Sequence, residues 1–296
     1  MSFVAEEIAS QPDVWRRAAD LAATPAVTAA LPQYGERVAV VGCGTSLFMA
    51  QSCAVLREAA GAGETDAFPA SEFPHGRRYD RVLALTRSGT TTEVVRLLDA
   101  LPDSQASTVI TTSGTVPAAA SAGAAVLLDF ADERSVVQTR FATAVLAMWR
   151  AHLGADLGPV VGDAERELAA ELPDGAVDRA QFTFLGTGWG VGIANEAALK
   201  LREASQSWAE SYPAMEFRHG PITVVDERSA VWIFGAPPAG LLGDVRQTGA
   251  LVVRSGADPM AQLVGAQRLA VAIAERKGLD PDRPRNLTRS VVLADG

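Results

Sequence analysis

Apolar runs alternate with amphipathic segments along most of the chain. The run RVAVVG, which begins at Arg37, is apolar and β-branched, and the segment SLFMAQSCAVLREAA behind it repeats its apolar residues at helical spacing. RVLALTRSGTTTEVVRLLDAL follows the same order, with a strand to Leu85 and a helix from about Thr92. Continuous apolar strands that alternate with helices are typical of a parallel sheet covered on both faces. The pattern therefore predicts an α/β protein, preceded by a helical segment over residues 1–30.

The second half of the chain repeats this order. STVITTSG and AAVLLDF predict two more strands of the first half, and a long helix follows from about Val136 to His152. QFTFLGTGWG then opens a second unit of strand, glycine turn and helix, and SAVWIFGAP, GALVVRSGAD and MAQLVGAQRLAVAIAERKG supply two strands and a closing helix. In both halves the first helix reaches a Leu-Arg-Glu triplet, at Leu56 and at Leu201.

Two α/β subdomains of similar plan are the expected organisation. Each would be a parallel sheet flanked by helices, in a three-layer sandwich of the flavodoxin or Rossmann kind. We expect the first subdomain to span residues 31–155 and the second to span residues 156–296 with a C-terminal tail. The linker falls either near Gly154–Asp163 or in the Pro-Asp-Gly turn at Pro173.

Composition narrows the function classes. The chain has 296 residues, is 48% hydrophobic and carries a formal net charge of -9 without a basic stripe, which argues against a nucleic-acid partner. Its two cysteines support neither a disulfide framework nor a zinc site, no apolar stretch is long enough to cross a bilayer, and the acidic N-terminus lacks a signal-peptide pattern. We expect a cytoplasmic protein without a metal or a membrane partner. An acidic protein still binds anionic metabolites where the local field of a pocket is positive.

Two polar loops, GCGTS (42–46) and TRSGTTTE (86–93), follow consecutive predicted strands. In open parallel sheets ligands bind beyond the carboxyl ends of the strands, and the first-turn N–H groups of a helix favour an anion. Glycine lets the backbone approach a ligand, and Ser46, Ser88 and Thr91 add hydroxyl donors, so the loops suit a phosphate monoester. The alternative is that the hydroxyls only cap the helices. Neither loop is a P-loop or a complete dinucleotide fingerprint.

Three glutamates recur at spacings of seven in ANEAALKLREASQSWAE, which we predict to be one helix. They are Glu196, Glu203 and Glu210, and on a helix they would form one stripe with steps of about 10 Å. A solvated acidic stripe is the alternative interpretation. Because the helix starts at a glycine-rich strand end, a partly desolvated glutamate there is a candidate base for a carbon acid.

Of the three histidines, His219 stands in the loop sequence MEFRHGP. A histidine with a pKa near neutrality can move a proton between sugar oxygens. A lone loop histidine is also commonly structural or merely exposed, which is the interpretation that His75 and His152 receive.

Seven motifs in order resemble those of tandem sugar isomerase (SIS) proteins, above all the isomerase half of glucosamine-6-phosphate synthase and its stand-alone relatives. They are GCGTS, ASEF (70–73), TRSGTTTE, ERSVVQTR (133–140), EAALKLREAS (196–205), EFRHGP (216–221) and PRNLTRSV (284–291). The similarity spans about Val38 to Val292. The stand-alone relatives include aldose–ketose isomerases, amino-sugar-phosphate deaminases and fructosamine-6-phosphate deglycases. The sequence contains no counterpart of the glutamine-hydrolysing domain, so we do not expect the chain alone to channel ammonia.

The resemblance implies a site for a sugar phosphate and assigns it residues. The positions expected to bind the phosphate or the sugar are Gly44, Thr45, Ser46, Thr86, Arg87, Ser88, Thr91, Val136, Glu196 and Arg289. Among them, Arg87 stands where the synthase has glutamine and would add a charged phosphate contact. Val136 falls at a backbone contact to the sugar.

The resemblance also implies two catalytic residues. Glu203 matches the glutamate that shuttles a proton between C1 and C2, and His219 matches the histidine that opens the sugar ring. In the family this histidine comes from the neighbouring subunit, so a homodimer with shared active sites is expected. The division suits a near-neutral histidine and a glutamate whose pKa is raised by burial, and it requires no cofactor.

Arg289 departs from the synthase pattern, which has a lysine that forms an imine with the ketose. Arginine stays protonated and cannot serve as that amine, and we do not expect Lys200 to replace it. The expected function is therefore a phosphosugar isomerase or deaminase that acts on a ketose or amino-sugar 6-phosphate through an enediol or enediolamine. The alternatives are a non-catalytic sugar-phosphate sensor, favoured by Arg289, and a fructosamine-6-phosphate deglycase. Retention of Glu203 and His219 favours an enzyme.

Overall fold

The first sheet contains five parallel strands in the spatial order β2-β1-β3-β4-β5. The computed structural model describes residues 2–294 of the chain. Along the chain the strands are β1 (Val38–Gly42), β2 (Thr65–Pro69), β3 (Arg81–Leu85), β4 (Ala106–Thr111) and β5 (Ala124–Leu127). Strand β1 is buried throughout, as expected of a strand covered on both faces. This is the flavodoxin-like order, in which the winding reverses between β1 and β3.

The second sheet contains four parallel strands in the order β7-β6-β8-β9. They are β6 (Gln181–Gly186), β7 (Trp208–Pro213), β8 (Ser229–Phe234) and β9 (Leu251–Val253). This order matches that of the first four strands of the first sheet. The prediction of an α/β fold with two parallel sheets of similar plan is confirmed.

Eleven α-helices occur within residues 2–294. They are α1 (Phe3–Ala9), α2 (Gln11–Ala22), α3 (Pro25–Ala30), α4 (Thr45–Ala59), α5 (Thr92–Asp99), α6 (Pro117–Ser121), α7 (Arg140–His152), α8 (Gly158–Ala169), α9 (Gly190–Ser205), α10 (Leu241–Gln247) and α11 (Pro259–Arg276). Helices α1, α2 and α3 form the helical segment expected at the start of the chain. In the described part, no helix combines the length and the apolar character that a membrane crossing requires.

The chain divides into two compact units, each built around one sheet. The first-sheet unit comprises Asp13–Glu133, Gln138–Leu157 and the chain from Thr288 onward. The second-sheet unit comprises the chain up to Pro12, Arg134–Val137 and Gly158–Leu287. Each unit therefore has its own core, formed where apolar strand residues meet apolar helix residues.

Helix α7 begins at Arg140, later than the expected start near Val136. The side chain of Glu133 explains this start, because its Oε1 accepts the N–H groups of Thr139 at 2.5 Å and of Arg140 at 2.7 Å. These N–H groups have no partner inside the helix, so a carboxylate at this position stabilises the helix start.

Helix α9 ends before Glu210. Gln206 adopts a left-handed conformation, with φ 51°, and takes the C-cap position, after which the chain turns into β7. Glycine or asparagine is the usual residue at such a helix end, so a glutamine leaves no signal in the sequence. The prediction that Glu210 shares a helix with Glu203 is wrong, because Glu210 lies on β7.

A glycine ends the first strand of each sheet where the following helix passes close to it. A Cβ atom on Gly186 would lie 2.1 Å from the carbonyl oxygen of Gly190, and one on Gly42 would lie 2.7 Å from the backbone of Ser46. Real Cβ contacts are not this short, so any side chain here would push the helix away from the strand.

Gly186→Ala is expected to lower the free energy of unfolding by about 3 kcal/mol or more, since the methyl group overlaps main-chain atoms of α9. Urea denaturation followed by circular dichroism measures this change. Gly243→Ala is the matched control, because this position lies in α10 of the same unit with nothing within 4 Å of the added Cβ. The control should gain up to about 1 kcal/mol, and an equal response of the two variants would contradict the steric argument.

Candidate functional site

The two polar loops follow adjacent strands of the first sheet. GCGTS leads from β1 into α4, and TRSGTTTE leads from β3 into α5. Strands β1 and β3 pair directly, with Val41 opposite Ala84. Because the winding reverses at this pair, their carboxyl ends border the crevice in which ligands bind in open α/β sheets. The structure thus brings both loops to one edge of the first-sheet unit.

Helix α4 starts within the first loop without a side-chain cap. Gly44 takes the N-cap position with φ 54°, a conformation that favours glycine. Thr45 and Ser46 are the first residues of the helix proper, and both are buried. Neither hydroxyl caps the helix, and phosphate binding by this loop stays a prediction.

Two hydroxyls hold the turn of the second loop. Thr86 Oγ1 accepts the N–H of Gly89 at 3.2 Å, and Ser88 Oγ accepts the N–H of Thr90 at 3.2 Å. Thr91 takes the N-cap position of α5, but its side chain makes no capping bond. A hydroxyl that accepts a hydrogen bond keeps its own proton for donation, so Thr86 and Ser88 are suited to donate to a phosphate oxygen.

Arg87 forms a buried ion pair beneath this loop. Its Nη1 lies 3.1 Å from Oε2 of Glu133, and the two side chains are 1% and 0% exposed. The pair balances its own charges, and removal of one partner would leave the other charge buried and uncompensated. The structure thus gives Arg87 a role in fixing the loop, while the charged phosphate contact expected of it stays a prediction.

The C-terminal tail runs along the second loop in the same unit. The N–H of Thr92 donates to the Val291 carbonyl at 3.1 Å, and the N–H of Leu293 donates to Thr92 Oγ1 at 2.9 Å. The hydroxyls of Thr90 and Ser290 lie 2.9 Å apart. The tail therefore lies against the loop through main-chain and hydroxyl contacts.

Arg289, which replaces the family lysine, ties this tail to the same ion pair. Its guanidinium donates to the carboxylate of Asp132 and to the carbonyl of Glu133. In turn, Arg87 Nη2 donates to the Arg289 carbonyl at 3.2 Å. The arginine is thus engaged by the protein itself, as a multiple donor in a way that a lysine's single ammonium would not reproduce.

Three charged side chains of α9 form a cluster in the second-sheet unit. Lys200 Nζ lies 2.5 Å from Glu203 Oε2 and 3.5 Å from Glu196 Oε1. Lys200 and Glu196 are 1% and 0% exposed, whereas 13% of the Glu203 side chain is exposed. Glu203 is therefore presented as a carboxylate hydrogen-bonded to a buried ammonium group, with one side open to a reacting molecule.

From the sequence, Lys200 is not expected to act as the amine that Arg289 cannot supply, and its contacts with both glutamates are not predicted. Its separation of four from Glu196 and of three from Glu203 is the spacing at which side chains meet on a helix. This spacing is the signal in the sequence from which the contacts of Lys200 with both glutamates could be predicted. Its importance lies in the burial of Lys200 and Glu196 beside the partly exposed Glu203, which makes the ammonium the counter-charge of two carboxylates.

Glu203 opens into a cavity of about 380 Å³. The segment 284–287, which is the Pro-Arg-Asn-Leu of the tail motif, lines one side, and Arg202 and Arg285 bring positive charge. The volume lies in the range of small-molecule sites. Within this unit, a carboxylate and two cations therefore face one cavity of metabolite size.

His219 is exposed at the end of an anchored turn. Phe217 is fully buried, and Arg218 Nε lies 2.7 Å from Asp244 Oδ2, so the turn is held while the imidazole faces solvent. Among residues 2–294, no hydrogen bond or ion pair joins His219 to Glu203. The structure of one chain therefore does not assemble the predicted catalytic pair by direct contact.

Val136 and Cys43 are the remaining candidates near the motifs. The N–H of Val136 donates to the Asp282 carbonyl at 3.0 Å. This N–H is therefore not available for the predicted backbone contact to a sugar. Burial, aided by the charge of Glu93, raises the pKa of the Cys43 thiol to about 11. The thiol is protonated at neutral pH and is unsuited to nucleophilic catalysis.

Comparison with known proteins extends the resemblance over most of the chain. The chain is 28% identical over 312 residues to the glutamine–fructose-6-phosphate aminotransferase (isomerizing) of Methanothermobacter thermautotrophicus, in an alignment that covers 87% of this chain and 52% of that enzyme. The chain spans between about a quarter and about half of the length of the curated relatives that it matches. No protein-family model matches the chain.

Two solved structures match nearly the whole chain. Glucosamine-6-phosphate deaminase from Thermotoga maritima superposes with a TM-score of 0.83 at 25% identity, and the match covers 99% of this chain and 100% of that one. Tagatose-6-phosphate ketose/aldose isomerase from Escherichia coli gives a TM-score of 0.82 at 21% identity and covers 99% and 96%. The resemblance to the isomerase half of the synthase and to stand-alone phosphosugar enzymes is confirmed.

Lys200→Met is expected to lower the free energy of unfolding by about 3 kcal/mol or more, because it removes the cation that Glu196 and Glu203 share. Urea denaturation measures the loss, which should shrink as the pH falls and the carboxylates become protonated. Adding Glu196→Gln to this variant removes one of the two like charges and should recover part of the stability. A Lys200→Met protein as stable as the wild type would show that the cluster contributes nothing to folding.

Proposed function

We propose that this chain moves a proton between C1 and C2 of an open-chain amino-sugar 6-phosphate and releases the amine as ammonia. The observation that carries the proposal is the Glu196–Lys200–Glu203 cluster, which holds a carboxylate at a cavity of metabolite size. The match to the Thermotoga maritima deaminase over the full length of both chains supports deamination as the reaction. The proposal takes the 6-phosphate to be bound by the two polar loops of the first-sheet unit.

The proposed reaction balances without an oxidant or a reductant. His219 passes the proton of the anomeric hydroxyl to the ring oxygen, which opens the ring and frees the C1 aldehyde. Glu203 then takes the proton from C2, which the neighbouring carbonyl acidifies, and returns it to C1. The nitrogen at C2 loses a proton and the C1 oxygen gains one, which gives a C2 imine; water adds to the imine, and ammonia leaves. One water is consumed and one ammonia is released, with a ketose 6-phosphate as the other product.

Binding of the phosphate is assigned to hydroxyls and helix starts rather than to Arg87. Ser46 lies in the first turn of α4, and Thr86 and Ser88 retain donors beside the start of α5. Two helix N-termini at one sheet edge supply partial positive charge, which suits a phosphate dianion.

Release of ammonia, rather than transfer of nitrogen to a ketose, accords with the engagement of Arg289. A transfer that begins with an imine needs a neutral amine on the enzyme, and a guanidinium bound to Asp132 and to the Glu133 carbonyl cannot supply one. Glu203 and water complete the proposed reaction without that amine.

Glucosamine 6-phosphate incubated with the protein in heavy water tests the proton transfer directly. We expect deuterium at C1 of the ketose product, with release of ammonia, because a carboxylate that is open to solvent on one side exchanges its proton before returning it. Glu203→Gln should lower the rates of deuterium incorporation and of ammonia release by at least about a thousandfold, since the amide cannot act as the base. Nuclear magnetic resonance follows the exchange, and a coupled assay follows ammonia.

Glu58→Gln is the matched control, because Glu58 ends the Leu-Arg-Glu triplet of the first-sheet unit as Glu203 ends that of the second. It should leave the rate unchanged. Arg289→Gln should keep the proton exchange, although weaker contacts of the tail are expected to raise the KM. Tight binding of hexosamine and hexose 6-phosphates with no exchange for any of them would overturn the enzyme and leave a sugar-phosphate sensor.

Aldose–ketose isomerisation is the second candidate, because the Escherichia coli tagatose-6-phosphate isomerase matches the fold almost as closely. The first steps would be the same, with a hydroxyl instead of an amine at C2. Exchange with hexose 6-phosphates and none with glucosamine 6-phosphate would select it over deamination.

A shared active site in a homodimer is part of the proposal, because His219 is exposed on an anchored turn. Mixing Glu203→Gln chains with His219→Ala chains, each nearly inactive alone, should restore about a quarter of the wild-type activity. Half of the dimers would be mixed, and each mixed dimer would contain one intact site out of two. No recovery after unfolding and refolding the mixture together would show that Glu203 and His219 act within one chain.

A further inference from the structure

A second cavity lies in the first-sheet unit, at the end of the sheet opposite the two polar loops. Its volume is about 640 Å³, and its walls come from the start of β1 and from the segments 73–80 and 101–105. Arg37 directly precedes β1 and Asp80 directly precedes β3, so the cavity adjoins the amino ends of these strands. Strands of this length separate it from the carboxyl ends by about 15 Å. It is therefore not part of the proposed phosphate site.

The lining of this cavity is basic in a protein that is acidic overall. Arg37, Arg77, Arg78 and His75 line it, against Asp80 as the one lining carboxylate among the described residues. Asp80 is turned to the backbone, since its Oδ2 accepts the N–H of Arg37 at 2.7 Å. Guanidinium groups gathered around one cavity repel each other, and a bound anion would relieve that repulsion.

Two carboxylates outside the lining offset part of this charge. Glu64 lies 3.1 Å from the Arg37 guanidinium, but both side chains are largely exposed. Asp66 lies at 3.7 Å from Arg77 and is already the acceptor of the Tyr79 hydroxyl at 2.6 Å. Exposed pairs at such distances are weak.

Arg78 and His75 stand apart from these pairs. Within the described part of the chain, neither side chain has a hydrogen bond or an ion pair. The two carboxylates outside the lining therefore offset the charge of Arg37 and Arg77 only. The positive charge of Arg78 remains, so the cavity can still bind an anion.

An aromatic framework orients the arginines. The guanidinium of Arg37 lies 5.1 Å from the centre of the Tyr79 ring, and that of Arg77 lies 5.7 Å from the Phe68 ring. These rings form an edge-to-face cluster with Phe73, in which Phe73 and Tyr79 are buried and Phe68 is partly buried. Cations held over ring faces keep their N–H groups directed outward, so the donors are partly ordered before a ligand arrives.

We propose that this cavity binds a small phosphorylated metabolite at a site separate from that of the sugar phosphate. Guanidinium groups match phosphate oxygens in charge and in fork-like geometry. The volume lies within the range of metabolite sites and exceeds the size of a single inorganic phosphate, so the ligand carries an organic group or a second phosphate. The inference does not rest on the proposed enzymatic function.

Isothermal titration of the full chain with inorganic pyrophosphate at low ionic strength tests the site. Wild-type protein should bind two pyrophosphates per chain, one in the cavity and one at the polar loops. Arg37→Gln combined with Arg78→Gln should lose one of them, or weaken it at least tenfold. Ser46→Ala combined with Ser88→Ala should retain the cavity site. Arg246→Gln with Arg283→Gln removes the same charge from exposed positions of the other unit and should change neither site.

The outcomes separate this inference from the proposed function. Loss of binding in the arginine pair alone supports the cavity site, even where the serine pair has no effect and the phosphate assignment of the loops fails. Unchanged binding in the arginine pair, or an equal loss in the control pair, overturns the inference. Thermal unfolding of each variant verifies that it is folded.

Discussion

The close approach of a helix to the end of the first strand in each sheet is the constraint on which the rest of the structure depends. Gly42 and Gly186 permit it, because any Cβ at these positions would overlap the backbone of the following helix. The two units use the same junction differently. In the first-sheet unit the start of α4 brings Thr45 and Ser46 to the sheet edge, whereas in the second the far end of α9 carries Glu203, about 20 Å further along the helix.

Buried charge is balanced locally in both units. In the first, Glu133 pairs with Arg87 through one oxygen and supports the start of α7 through the other. Because Arg289 also donates to the Glu133 carbonyl, the second loop, the helix start and the tail are held by one group of contacts. In the second, Lys200 serves two carboxylates. Such clusters are costly to disturb from one side, which makes the positions around them rigid supports for chemistry.

The central strands and the edge strands β5 and β9 could be predicted from apolar runs in the sequence, whereas the edge strands β2 and β7 could not. Strand β1 is a buried apolar run, but β2 and β7 lie at the sheet edges and are mostly half-buried, with polar residues such as Asp66 and Glu210. Without a continuous apolar run they give no strand signal. The candidate site residues also differ in how far the sequence identifies them. Loop hydroxyls and Glu203 were identifiable from local patterns, whereas the pairing of Arg87 with Glu133, across 46 positions, depends on the folded chain.

The contacts of Arg289 within the protein help to explain why the proposed reaction ends with the addition of water to an imine. A lysine at the family position has to be neutral and mobile to attack a carbonyl, whereas this arginine is charged and tied to Asp132 and the Glu133 carbonyl. In the proposed reaction His219 and Glu203 generate an acidic C–H bond and remove its proton, whereas Arg289 is held by contacts within the protein. Once the proposed C2 imine forms, the reactant that does not depend on Arg289 is water, and hydrolysis is the step that these residues leave open.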